Sequence, residues 1–388
     1  MLTSEEIKIM WKYYLTSFLI GLSTLTGAYM YLYFKQNIGM TYSMINFTIV
    51  AFLVVDVIFE LPTGVFGDQF SRKKQAIIGT LIMFISCIGL YSSNTFTQIL
   101  ISYGIMGVGW AFFFGSREAW IVDQLKRSGK SEFITSYYAN SQFFFMVGAI
   151  IGPLITSLVV SESNLRIIWL IDAAITLLTI LPMLLENEVF SKRDNFGKIF
   201  KDSTREFFSN KKLLLIGVTC FISSFYLGSI AGQQPLLIFL GAPLFILGIK
   251  ESIAGIFKAI SLASVKFLGK NTRFYVVLAS IMQFLVIIPL VFISSGGWLI
   301  ATVLLLIPAL FAFIDPVIFN FQNTQMPVKF RSSMISILGM CASIGAIIGY
   351  LIGGCALDSI GPAGTIVIFS SGFLISGIIY SKLLPKSL

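Results

Sequence analysis

The sequence predicts an all-α membrane protein, with twelve transmembrane helices in two pseudo-symmetric six-helix bundles. Three observations carry that expectation: apolar runs long enough to span a bilayer, a one-sided placement of basic residues, and a peptide repeated half a chain apart. The 388 residues are 56% hydrophobic and only 12% charged, with a mean hydropathy of +0.89. A soluble chain carries about 25% charged residues to cover its wet surface. Apolar runs of roughly 18 residues or more recur from Trp11 to the C-terminus, each enough to cross a hydrocarbon core as a helix. A spanning barrel needs strands that alternate polar and apolar faces, and these continuous runs do not alternate.

The runs place spans at 11–34, 43–67, 75–93, 98–123, 135–159, 165–185, 213–234, 244–265, 274–294, 298–321, 333–356 and 364–384. With the N-terminus inside, the inner connections collect all of the 27 Lys and Arg except Lys35, Arg166, Arg117, Lys250 and Lys258. Cytoplasmic loops retain positive charge, so this asymmetry puts both termini in the cytoplasm. It also explains the net charge of +9 as a topology signal, and no nucleic-acid partner is expected. The opening MLTSEEIKIMWKYY lacks the basic start and small-residue cleavage site of a secretory signal. The four cysteines, Cys87, Cys220, Cys341 and Cys355, are scattered through apolar segments and histidine is absent. That pattern offers neither a disulfide framework nor a metal-ligand cluster.

Residues 186–212 form the longest polar stretch and divide the chain into an N-terminal bundle, 1–185, and a C-terminal bundle, 213–388. Within this linker Phe196, Ile199, Phe200, Phe207 and Phe208 interleave with Lys and Arg at near-helical spacing. That is the pattern of an amphipathic helix on an anionic inner leaflet. The halves are related. Gly148-Ala-Ile-Ile-Gly152 in span five recurs as Gly345-Ala-Ile-Ile-Gly349 in span eleven, and the same shift carries Glu118 onto Asp315 and Asp123 onto Asn320. Two copies of six spans in one orientation form a parallel repeat, in which a substrate site lies between halves that rock.

Residues 60–74, ELPTGVFGDQFSRKK, lie on the basic side between spans two and three. Gly64, Asp68, Arg72 and Lys73 there resemble the loop motif G-x-x-x-D-x-x-x-R-K of the major facilitator superfamily. Gly148, Gly152 and Pro153 are similar to part of the antiporter motif of its fifth span, with Thr156 and Ser157 where later glycines stand. The segment from Gly115 to Asp123, GSREAWIVD, resembles the end of span four in bacterial efflux members, although Tyr103 stands where an Arg usually precedes the glycines. The resemblance implies the major facilitator fold and a secondary active transporter, most similar to bacterial drug/proton antiporters. It also implies an inner latch: Asp68 facing the start of span eleven near Arg331, Arg72 reaching Asp123 on span four, and Gly64 and Lys73 completing the motif.

Charges inside spans mark the remaining candidates, because each costs about 2.5–3.5 kcal/mol at a span centre and faces a cavity or a partner. Without histidine, proton coupling falls to carboxylates. Asp56 and Glu60 lie on one face of span two, and Glu118 and Asp315 hold matching positions on spans four and ten. Asp172 on span six is read as structural. The alternative for all of them is silent pairing with Arg117, Lys250 or Lys258. The candidate substrate cavity comprises Tyr29, Tyr33, Arg117, Gln233, Gln234, Lys250, Glu251, Lys258 and Asn320. Its aromatics and amides suit an adaptable apolar site, and its lysines count against a purely cationic cargo.

The leading expectation is proton-coupled efflux of small amphipathic molecules by alternating access. A proton-coupled symporter for a polar or anionic nutrient and a non-transporting receptor are the alternatives. No nucleophile–base arrangement, metal spacing or nucleotide loop argues for an enzyme. The expected setting is a bacterial or archaeal cell membrane. The chain there is a monomer without a cofactor, the proton gradient supplies energy, and its partners are the lipid bilayer and a small-molecule substrate.

Overall fold

The computed structural model describes residues 4–69, 71–185, 204–267, 271–327 and 331–384, and every regular element among them is helical. In chain order these are α1 (Ser4–Leu22), α2 (Met30–Ile38), α3 (Tyr42–Gln69), α4 (Arg72–Ser92), α5 (Phe96–Arg127), α6 (Phe133–Val159), α7 (Ile167–Leu178) and α8 (Ile180–Leu184). The second half holds α9 (residues 204–209), α10 (Lys211–Phe225), α11 (Leu227–Phe239), α12 (Leu244–Ser264), α13 (Thr272–Ile287), α14 (Trp298–Leu306), α15 (Ile314–Gln325), α16 (Arg331–Ser359) and α17 (Gly361–Leu383). Among the described residues ten helical runs are long and apolar enough to cross a membrane, and α1 with α2, bent by 44°, makes eleven. The remaining expected span, the eighth, falls on α12, which has the length but carries Lys250, Glu251 and Lys258. Each span expected from the sequence therefore falls on a helix or a continuous helical run.

Several helices start where a side chain takes up a free backbone donor. Ser71 Oγ accepts from Lys74 N ahead of α4, and Asn210 Oδ1 accepts from Lys212 N at 3.0 Å ahead of α10. Gly39, at φ 77°, ends α2 in the left-handed region that favours glycine.

Contacts divide the described chain into two compact units. Unit 1 holds residues 4–40, 51–185 and 244–252; unit 2 holds 41–50, 204–243 and 253–384. These differ from the sequence halves in two segments, the head of α3 and the head of α12. Glycines explain both. A Cβ at Gly354 of α16 would stand 2.9 Å from Ser43 Cα, and a Cβ at Gly248 of α12 would collide with the Pro153 carbonyl oxygen. Residues 186–203 of the expected linker lie outside the described residues. Of its remainder, Phe207 on α9 is buried in the core of unit 2 with Leu213 and Ile216, while Phe208 is exposed.

Helices surrounded by lipid gain little from hiding apolar surface, so close approach of small residues drives their packing. In unit 1, a Cβ at Gly148 or Gly152 of α6 would run into the backbone oxygen of Phe18 or Leu22 on α1. In unit 2, Gly345 and Gly349 of α16 meet the backbone oxygens of Phe221 and Phe225 on α10 in the same way. The repeated pentapeptide thus makes the same helix contact twice.

Breaks interrupt several of the spans among the described residues, and two of them show how side chains answer the loss. Span one passes through a 3₁₀ turn, Ser23–Ala28, where the buried carboxylate of Asp172 accepts from Ser23 Oγ. Span ten passes through another, Ile307–Phe311, at Pro308, which supplies no backbone donor. Ser261 of α12 repairs that ladder. Its Oγ donates to the Leu310 carbonyl at 2.7 Å and accepts from Phe313 N at 2.9 Å.

Candidate functional site

The loop motif sits at the junction of α3 and α4. Gly64 and Asp68 lie on the last turns of α3, but the side chain of Asp68, and those of Arg331 to Ser333, are outside what the structure describes. The expected contact from Asp68 to the start of span eleven therefore falls outside it too. Arg72, in the first turn of α4, donates from Nη1 to Asp123 Oδ2 on α5 at 3.0 Å, with both side chains largely covered. Lys73 Nζ reaches the Leu184 carbonyl at 3.5 Å.

Asp56 and Glu60 stand one helical turn apart on α3, half-buried and exposed respectively, and they interact with one another. Among the described residues neither makes an ion pair. Gly107 of α5 brings that helix against this part of α3, where a Cβ would stand 2.6 Å from the Phe52 carbonyl oxygen. Arg117, one of the cations expected to pair silently with them, is engaged elsewhere. It is buried, with Nη2 3.3 Å from Ser17 Oγ, 3.4 Å from Tyr137 Oη and 3.8 Å from Glu118 Oε1. Its guanidinium also lies over the Phe113 ring. Arg117 and Glu118 are thus engaged within unit 1.

Tyr29 and Tyr33 are fully buried, Tyr33 against Phe34 and Trp169. They are packed interior groups of unit 1. On α12, Lys250 is buried and donates to its neighbour Glu251 at 2.7 Å, while Ser252 Oγ holds the Ile150 carbonyl at 2.7 Å. A lysine neutralised next door is a poor anion receptor. Lys258, further along α12, acts electrostatically on Asp315. Gln233 and Gln234 are half-buried beside Pro235 on α11, and Asn320 is exposed on α15.

Within unit 2 the structure opens a cavity of about 480 Å³ among α10, α13, α15 and α17. Asp315, just past the break in span ten, stands on its wall. Gln283, Gln322, Tyr380, Ser223 and Ser376 join it. Gln322 Nε2 donates to Tyr380 Oη at 2.8 Å and lies 3.3 Å from Cys220 Sγ. Apart from Asp315 these residues escaped the sequence reading, which searched the spans for charge. An uncharged Gln inside an apolar run, such as Gln283, was the available signal.

These features define an integral membrane protein of two helical units, with paired glycines, an Arg72–Asp123 ion pair beside the loop motif and carboxylates set into its spans. A family model for the Major Facilitator Superfamily matches residues 13–330, and the chain belongs to that superfamily of transporters. Staphylopine export protein of Staphylococcus aureus is 22% identical over 366 residues, 89% of this chain and 86% of that one. An uncharacterized MFS-type transporter of Escherichia coli, YdeE, is 26% identical over 212 residues. That match spans 53% of this chain and about half, 51%, of the relative. Among solved structures, nucleoside transporter NupG superposes with a TM-score of 0.76 at 17% identity, covering 97% of this chain and 98% of that one. A D-xylose-proton symporter gives 0.76 at 14% identity, covering 97% and 98%. At such identities the likeness speaks for the fold alone.

Proposed function

We propose that this transporter is a proton-coupled exporter of small amphipathic molecules that works by alternating access. Asp56 and Glu60 carry the reading. They are two carboxylates one turn apart inside a membrane span, and neither makes an ion pair among the described residues. A bare charge near a span centre costs about 2.5–3.5 kcal/mol on insertion scales, so the pair gains by taking up a cation. A proton entering from outside supplies it, and release of that proton to the cytoplasm, as substrate is taken up from that side for export, returns the carboxylates to their starting state. Export in the staphylopine export protein, aligned along most of this chain, supports the direction. On this reading both termini are cytoplasmic, the chain acts as a monomer without a cofactor, and the proton gradient is the energy source.

A second reading, proton-coupled symport of a polar solute, draws on the uncharged polar groups around Asp315. Proteoliposomes with an imposed pH gradient separate the two when offered amphipathic dyes and polar nutrients side by side. Export predicts dye movement opposite to the protons. Solute movement with the protons would overturn it in favour of symport, and no flux of either kind would leave a receptor.

A further inference from the structure

The cavity inside unit 2 has the size of a small-molecule site, and its chemistry is specific. Gln283 is only 7% exposed. Its Nε2 is committed to the Pro308 carbonyl at 3.4 Å, whereas its Oε1 has no partner among the described residues. A buried acceptor left unmet is costly and is ordinarily satisfied by a donor from water or a ligand. Asp315 adds a second acceptor on the wall. Lys258 offsets its charge from α12, and the other polar groups on the wall are uncharged. An ammonium ligand would have to compete with Lys258, and an anion would meet the Asp315 carboxylate. Phe319 and Phe373 supply apolar faces.

We infer that unit 2 holds a binding site for an uncharged small molecule that presents hydroxyl or N–H donors to Gln283 and Asp315 and an apolar face to Phe319 and Phe373. The site goes beyond the export reading and does not rest on it. Asp56 and Glu60 belong to the other unit, and binding requires neither a gradient nor a direction of transport.

The test is equilibrium binding to the purified full chain, using tritiated 1-phenyl-1,2-ethanediol as the probe. Two charged counterparts of the same size compete with it: 2-amino-1-phenylethanol, an ammonium, and mandelate, a carboxylate. Wild type should bind the diol saturably, with both charged molecules competing more weakly than unlabelled diol. Gln283→Leu removes one hydrogen bond to a neutral group and should weaken binding about five-fold. Ser223→Leu fills the cavity from α10 without touching Gln283 and should abolish binding, so the inference stays testable if one variant does not fold. Absence of saturable binding to wild type would overturn it, as would undiminished binding by folded Ser223→Leu protein or tighter binding of the amine. Loss of export in vesicles would leave the result standing, because no gradient enters this measurement.

Discussion

The head of α3 is held within unit 2 by an anion from α16, and that contact gives a handle on the proposed alternating access. Asp358 Oδ1 accepts from Tyr42 N at 3.1 Å, and its Oδ2 accepts from Ser43 N at 2.8 Å and Ser43 Oγ at 2.6 Å. One turn further in, Asn46 Nδ2 donates to the Tyr350 carbonyl at 2.8 Å. A carboxylate on the free N–H groups of a helix N-terminus is worth about 0.3–1 kcal/mol when exposed, as Asp358 is. The hydrogen bond to the Ser43 hydroxyl brings the total to about 1–2 kcal/mol, a shift of roughly 5- to 30-fold in the population of this closed contact. If transport requires the contact to open, Asp358→Asn should shift that population by this factor. Cys355 Sγ lies 3.8 Å from Ser43 Oγ, so Ser43→Cys places a second thiol within reach and provides the assay. Copper-phenanthroline oxidation should form a Cys355 disulfide that stops transport until dithiothreitol releases it. In the Asp358→Asn background the disulfide should form several-fold more slowly. A fully cross-linked protein transporting at the wild-type rate would refute the reasoning.

The paired glycines make a symmetric prediction. Gly148→Leu and Gly345→Leu each push two helices apart, and overpacking of this kind costs about 1–3 kcal/mol or more. Both variants should lose thermal stability in detergent to a similar extent, which a melting curve of the purified protein checks. Ser261→Ala removes both hydrogen bonds that repair the break in span ten and leaves the Phe313 N–H unmet, at a cost of about 1–3 kcal/mol. It should lower the melting midpoint, whereas Ser261→Thr should restore most of it. The Arg72–Asp123 pair is partly covered and worth on the order of 1 kcal/mol. A double-mutant cycle in melting free energy over Arg72→Ala and Asp123→Ala should return a coupling of that size, and additive effects would remove the pair from the latch.

The spans were legible because their apolar runs are long, and among the described residues helices or helical runs stand where those runs lie. The pentapeptide at Gly148 and Gly345 was legible as a duplication, but its physical meaning, two backbone contacts made by the absence of a Cβ, needed the partner helices. The breaks in spans one and ten were not legible. Pro308 marks one of them, yet a proline in a membrane helix is tolerated when a neighbour such as Ser261 supplies the missing bonds, and sequence does not say which neighbour. Among candidate site residues, charge singled out Asp56, Glu60 and Asp315. It also put Arg117 in the cavity, whereas Ser17 and Tyr137 hold its side chain in the interior of unit 1. Gln283 and Tyr380 carry no charge, and Asp358 falls at a helix end where an acid is ordinary. Only the third dimension brings Gln283 and Tyr380 to one cavity and Asp358 to the head of α3.

The central claim is that the α3 carboxylates carry the coupling proton. Its most direct test uses purified protein in liposomes containing a pH-sensitive dye, with substrate added in the absence of any pre-formed gradient. Wild type should move protons opposite to substrate. The double variant Asp56→Asn, Glu60→Gln should still insert and melt cooperatively, yet show no substrate-dependent proton flux. A flux equal to that of wild type from the double variant would contradict the account and move the coupling to another carboxylate.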